Sequence, residues 1–191
     1  MKKPFVVTLI CIASSILCAQ EKFTYYTWEE ALKASPDTIF ALSFAREKRV
    51  DIPSGIAKFT RLRALDLSRN NLTGLPDEIG SLDSLVYIDV SRNKLELYPV
   101  ELCRLVNLKS LILNRNSFSE IPSCIRYLKS LEFIDLWSTP VTSFPKELIE
   151  LKSLRTLDLQ GNRYSPTFQK ALKAQLTWVE ILLDPPCDCM E

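Results

Sequence analysis

Four aspartates invite an acid–base reading. Asp66, Asp89, Asp135 and Asp158 stand at multiples of 23 residues from one another. Paired carboxylates are the machinery of glycoside hydrolysis, which needs one carboxyl held protonated and the other ionised. Copies of one periodic position do not supply two different environments, so the glycosidase reading is poor. Other catalytic sets fare worse. The chain contains no histidine, which removes Ser-His-Asp and Cys-His catalysis and every His-containing metal site. Four glycines, with neither GxGxxG nor GxxxxGK[ST], offer no phosphate cradle. Cys187-Asp188-Cys189 lacks the second pair or the histidine that a metal site needs, and reads as two tail thiols. The expectation is therefore a protein without catalysis, cofactor or metal.

Bulk properties narrow the partners. Lys+Arg number 24 against 23 Asp+Glu, so no global basic field points to nucleic acid. A length of 191 residues with 47% hydrophobic content suits one domain with a true core. Lys2 and Lys3 precede the apolar run Phe5 to Leu17, which is short for a membrane span. Residues 1–19 therefore read as a signal peptide cleaved before Gln20, leaving no transmembrane span in the mature chain. Lipidation of Cys18 is disfavoured because Leu17, just before it, is not small. Export leaves Cys103, Cys124, Cys187 and Cys189 in oxidising conditions. Cys103 and Cys124 could bridge adjacent units if their Cα atoms come within about 7 Å.

The elements that must position any site come from a repeat. Leu62, Leu85, Leu108, Leu131 and Leu154 recur every 23 residues. The fourth position holds Leu65, Ile88, Leu111, Ile134 and Leu157, and the sixth holds Leu67, Val90, Leu113, Leu136 and Leu159. Asn70, Asn93, Asn116, Thr139 and Asn162 fill the ninth, and Pro76, Pro99, Pro122 and Pro145 follow. Apolar residues alternating at the strand period face one side. The Asn amide can bond backbone where the chain leaves the strand, forming a ladder of which Thr139 is the weaker rung. Proline sets φ for the returning segment. One unit cannot bury its apolar face alone, so units stack.

This pattern resembles the leucine-rich repeat, LxxLxLxxNxL, in its LPxxIxxLxxL form. The resemblance implies an α/β solenoid: a horseshoe with a curved parallel β-sheet on the concave face and short helical or 3-10 segments on the convex face. The organisation, similar to exported bacterial repeat proteins, is then a cap with a short helix (20–38), about six repeats (39–164), a C-terminal helix-strand cap (165–183) and a tail (184–191). Thr27-Trp28-Glu29-Glu30 is a capping box, and Ser165-Pro166 opens the second helix. In the first unit Arg49 stands where leucine belongs, and Val50 is expected to slide into that hole.

The positions between the core residues face the open surface. The third position reads Ala64, Tyr87, Ser110, Phe133, Thr156; the fifth Asp66, Asp89, Ile112, Asp135, Asp158; the seventh Ser68, Ser91, Asn114, Trp137, Gln160. Tyr87, Ile112, Phe133 and Trp137 cluster on adjacent strands off the core, as interface hot spots do; the alternative is cross-strand packing that merely stabilises the sheet. Arg69, Arg92 and Arg115 run beside the aspartates. The two charged rows are expected to neutralise each other as exposed ion pairs; the alternative is that the arginines grip a partner. The candidate partner-binding set is Tyr87, Asp89, Arg92, Ile112, Arg115, Phe133, Asp135 and Trp137. The resemblance implies a monomer that binds a protein or peptide on its concave face, the other reading being a structural spacer in the cell envelope.

Overall fold

A computed structural model describes the backbone of residues 5–7 and residues 23–186. The cleavage point, Cys18, Cys187 and Cys189 lie outside the described residues. Strands β1 (Phe5–Val7) and β2 (Phe23–Tyr25) pair antiparallel. Seven further strands form one parallel sheet in chain order. They are β3 (Ala41–Ser43), β4 (Ala64–Asp66), β5 (Tyr87–Asp89), β6 (Ser110–Ile112), β7 (Phe133–Asp135), β8 (Thr156–Asp158) and β9 (Glu180–Leu182). Each is three residues long because only the central xLx of each repeat is extended. The register aligns periodic copies: Leu65 with Ile88, Ile88 with Leu111, Leu111 with Ile134.

The return segments are single 3-10 turns at Ser54–Lys58, Asp77–Ser81, Val100–Arg104, Ser123–Tyr127 and Lys146–Glu150. Each is opened by a proline whose φ lies between −60° and −75°, the value its ring enforces. Between sheet and turns runs one core, in which Leu62, Leu65, Leu67, Leu72 and Leu82 are wholly excluded from water and their copies are buried. No helix among the described residues is long and apolar enough to cross a membrane.

The asparagine ladder forms. Asn93 Nδ2 donates to Leu67 O and Val90 O at 3.0 Å each, and its Oδ1 accepts from Leu72 N–H at 3.0 Å. Asn70 and Asn116 repeat the arrangement. At Thr139 only Leu113 O is reached, at 3.1 Å, and the hydroxyl accepts from Asn116 N–H at 3.3 Å. The side-chain bond to the unit's own strand is lost, as the missing amide implies. Thr139→Asn should therefore raise stability by about 1 kcal/mol, read as a shift in the denaturant midpoint; an unchanged or lower midpoint means the pocket has closed around threonine.

Both ends are capped. Helix α1 (Trp28–Lys33) starts at a complete Thr27–Glu30 capping box, and Trp28 packs on Phe44 and Phe59 with ring centroids 5.5 and 5.8 Å apart. Helix α2 (Pro166–Gln175) starts at Ser165, whose hydroxyl accepts from Phe168 N–H. The first unit corrects one expectation. Val50 stays 69% exposed and fills no hole. Arg49 covers the site instead, its guanidinium 4.8 Å from the Phe44 ring centroid and paired with Glu47 at 2.6 Å. A long stem can shield apolar surface while its charged head stays wet. On the convex side Cys103 and Cys124 form a disulfide with Cα atoms 5.7 Å apart, joining two successive turns.

Candidate functional site

Register decides which open-face side chains meet. The third position reads across the sheet as Ala41, Ala64, Tyr87, Ser110, Phe133 and Thr156. The fifth reads Ser43, Asp66, Asp89, Ile112, Asp135 and Asp158. Tyr87, Ile112, Phe133 and Trp137 are all half-buried, none belonging to the main core.

These residues fall into two groups. Tyr87 packs against a small second apolar cluster made by Tyr25, Ala41 and Ala64. Tyr25 comes from β2, which lies beside β3 through the Tyr26–Leu42 bridge. Its ring is 6.4 Å from that of Phe23, edge to face. Burial, followed by the Asp66 and Asp89 carboxylates, pushes the Tyr25 phenol up. Burial, followed by Asp89, does the same to Tyr87. Sequence reasoning missed Tyr25, which belongs to no repeat; the available signal was the pair of alanines, Ala41 and Ala64, which leave room above the sheet. The second group holds Ile112, Phe133, Trp137 and Arg115. The Arg115 guanidinium lies 4.4 Å from the Trp137 ring centroid, a cation–π stack. Ser110 stands between Tyr87 and Phe133 in the register and separates the groups.

The aspartates have a local task. Asp66, Asp89, Asp135 and Asp158 each accept, through Oδ1, the backbone N–H two residues on, at 2.8–2.9 Å. The residue after each of these bonds, Arg69, Arg92, Ser138 or Gly161, enters the left-handed region with φ between 53° and 74°, and Arg115 does so too at 53°, although its unit carries Ile112 in place of the aspartate. Asp135 also accepts from Asn114 Nδ2 at 2.6 Å.

The expected neutralisation of the two rows does not occur. Among the described residues Arg69, Arg92 and Arg115 form no ion pair; the pairs lie elsewhere, at Arg49–Glu47, Lys109–Glu132, Arg126–Glu147 and Lys129–Glu150. The cause is geometric. Each carboxylate is turned inward to its own backbone donor, while the left-handed residue carries its side chain outward, where it is exposed.

Asp89, Asp135 and Asp158 sit in a setting unfavourable to their charge. Burial, with Asp66 and Asp135 adding, pushes the Asp89 carboxyl up to about 6, against the opposing bonds from Ser91. Burial also raises Asp135 and Asp158, against the backbone bonds they accept. A carboxyl whose folded pKa is raised binds its proton more tightly folded than unfolded. Its stabilising contribution is full below the ordinary carboxylate range near pH 4 and is lost as pH rises through about 6. Asp89→Asn keeps the acceptor for Ser91 N–H and removes the charge. The variant should be more stable than wild type by about 2 kcal/mol at pH 7 and equal to it near pH 4, as read from urea midpoints across that range. A gain that persists unchanged at pH 4 means charge is not its source.

The comparisons with known proteins agree with this architecture. The family described as leucine-rich repeat region matches residues 41–182. An internalin of Listeria monocytogenes shares the fold at 20% identity and TM-score 0.62, over 76% of this chain and 41% of that one. The ectodomain of the Arabidopsis thaliana receptor kinase GASSHO1/SCHENGEN3, solved with CASPARIAN STRIP INTEGRITY FACTOR 2, gives 26% identity and TM-score 0.56, over 76% of this chain and 18% of that one. The Arabidopsis receptor kinase HAESA, solved with the peptide hormone IDA and the co-receptor SERK1, gives 26% identity and TM-score 0.59, over 85% and 28%. The chain thus spans less than half the length of each of these proteins. A comparison with curated proteins found no relative. The repeat, its parallel strands in chain order and the match across 41–182 together make the chain a member of the leucine-rich-repeat family.

Proposed function

We propose that the chain is an exported binding module, without catalytic activity, that takes a protein or peptide on its concave face. The observation that carries this reading is the Arg115–Trp137 stack, with Phe133 and Ile112 on the same open surface. Trp and Arg are the residue types that dominate interface energetics, and a partner covering them gains both apolar area and directed N–H donors. The repeat does not demand an indole there, since the other units carry Ser68, Ser91, Asn114 and Gln160 at the same position. Of the plant receptors of the same fold, one was solved with CASPARIAN STRIP INTEGRITY FACTOR 2 and the other with the peptide hormone IDA, which supports a protein or peptide ligand. The signal-like start and the Cys103–Cys124 bond fit an oxidising compartment after export.

The test is capture of a partner from envelope extract of the source organism by wild type and by Trp137→Ala. Trp137 lies outside the main core, so its loss should leave the melting temperature nearly unchanged. Removing a hot-spot Trp should weaken capture by at least about thirtyfold, or about 2 kcal/mol. If the variant unfolds, and its folded fraction still captures the partner as wild type does, Trp137 is a packing element and the reading fails.

A further inference from the structure

We propose that Arg46, Arg69, Arg92 and Arg115 form a row of guanidinium groups that holds the carboxylates of an extended acidic peptide, leading it into the Trp137 patch. The inference rests on the binding reading above and specifies the chemistry of the partner.

Four observations meet here. These residues occupy one periodic position on β3 to β6 and its exits, so neighbouring copies are one strand spacing apart, about 4.8 Å. All four side chains are exposed, and among the described residues none has a carboxylate partner. All four backbones are left-handed, with φ of 64°, 58°, 55° and 53°. Glycine and asparagine accept that conformation with less strain than arginine, and Gly161 takes it in the last repeat with φ 74°. Arginine at this position therefore costs stability, and Arg46, Arg69 and Arg92 recover none of it through an ion pair among the described residues, while Arg115 has only its stack on Trp137; a strained residue without a charge partner points to a ligand.

Charge sets the placement. The aspartate row along the floor repels acidic groups and confines them to the arginine edge. Guanidinium groups bind carboxylates bidentately, and stacking on Trp137 fixes the plane of Arg115 in advance. At that end of the row the ligand meets Phe133, Trp137 and Ile112. A polypeptide supplies both an acidic run and an apolar anchor. A sulfated polysaccharide supplies only the first, so the mixed surface favours the peptide.

The experiment uses the full chain as bait in selections from a random peptide library displayed on phage. The parallel baits are the combined Arg46→Asn, Arg69→Asn, Arg92→Asn variant and Trp137→Ala. Asparagine suits a left-handed backbone, so the triple variant should melt no lower than wild type. Wild type should select peptides with Asp and Glu in a run beside an apolar residue. The triple variant should lose the acidic preference, and Trp137→Ala the apolar one. Replacing Glu by Gln in a selected peptide should weaken its binding to wild type at least about tenfold at low salt and much less at high salt. This arm does not depend on any variant folding. Selected peptides without acidic enrichment overturn the inference and leave the binding reading intact. Failure of wild type to select any peptide over Trp137→Ala overturns both. Retention on immobilised heparin, lost in the triple variant, without acidic peptide selection assigns the row to a sulfated glycan and overturns the peptide.

Discussion

Leu111→Ala should cost about 2–5 kcal/mol of stability, while Ser110→Ala, one residue earlier, should cost less than about 0.5 kcal/mol. Leu111 sits on β6, the central strand of the sheet, and has no exposure to water. Ile88 and Ile134 flank it in register. Three side chains of one row, each on a strand hydrogen-bonded to the next, cannot close a gap between them without breaking the ladder. The cavity therefore persists, and its cost adds to the lost transfer energy. Units of a solenoid touch only their neighbours, so weakening the central row severs the molecule's two halves from each other. Ser110 lies on the opposite face of the same strand and is half-buried. Urea denaturation of both variants decides the matter; equal midpoints would mean that the strand faces have been exchanged.

The repeat makes this register legible in the sequence alone. A periodic pattern states which side chains share a row, because translation by one unit carries each position onto its copy. Leu65, Leu111 and Leu157 are buried, and the prolines open the returning turns, for reasons that reside within one repeat. Features joining unlike elements were not legible. Tyr25 lies outside the repeat, so nothing periodic placed it against Tyr87 above Ala41 and Ala64. Arg49 replaced a leucine by laying its stem on Phe44, which depends on a rotamer rather than on residue type. The charged rows were legible as rows, but their relation was not. The aspartates turned to their own backbone, and among the described residues Arg69, Arg92 and Arg115 are left without a carboxylate partner. Composition alone cannot distinguish an acid that faces its neighbour from one that caps its own turn.

The same distinction bears on the candidate surface. Of the expected binding set, Ile112, Phe133, Trp137 and Arg115 form one open group, whereas Tyr87 is engaged with Tyr25. Asp89 and Asp135 hold backbone N–H groups and reach solvent only in part. Their substitution should affect stability and its pH dependence before it affects recognition. Arg92 and Arg115 are exposed and hold no carboxylate among the described residues. Their substitution should act on ligand capture, with an effect that salt diminishes.

Breaking the Cys103–Cys124 bond should lower stability by about 3 kcal/mol, the chain-entropy value for a loop closed across the 21-residue separation. The bond joins the turns Val100–Arg104 and Ser123–Tyr127, which are already neighbours through the solenoid. The folded state therefore gives up little freedom to hold it, while the unfolded chain loses the conformations in which these two repeats separate. For a domain of this size each kcal/mol moves the melting temperature by about 2–4 °C, so reductant should lower it by about 6–12 °C. Cys103→Ala with Cys124→Ala should melt near the reduced protein and be indifferent to reductant. Cys103 is buried and Cys124 half-buried, so the paired alanines also lose some packing, and a melting point slightly below that of the reduced protein is consistent. Thiol labelling without reductant should spare both cysteines in protein recovered from an oxidising compartment. A wild type that labels at Cys103 and Cys124, and melts at the same temperature with and without reductant, has no bond there. In that case the disulfide no longer supports placing the chain in an oxidising compartment.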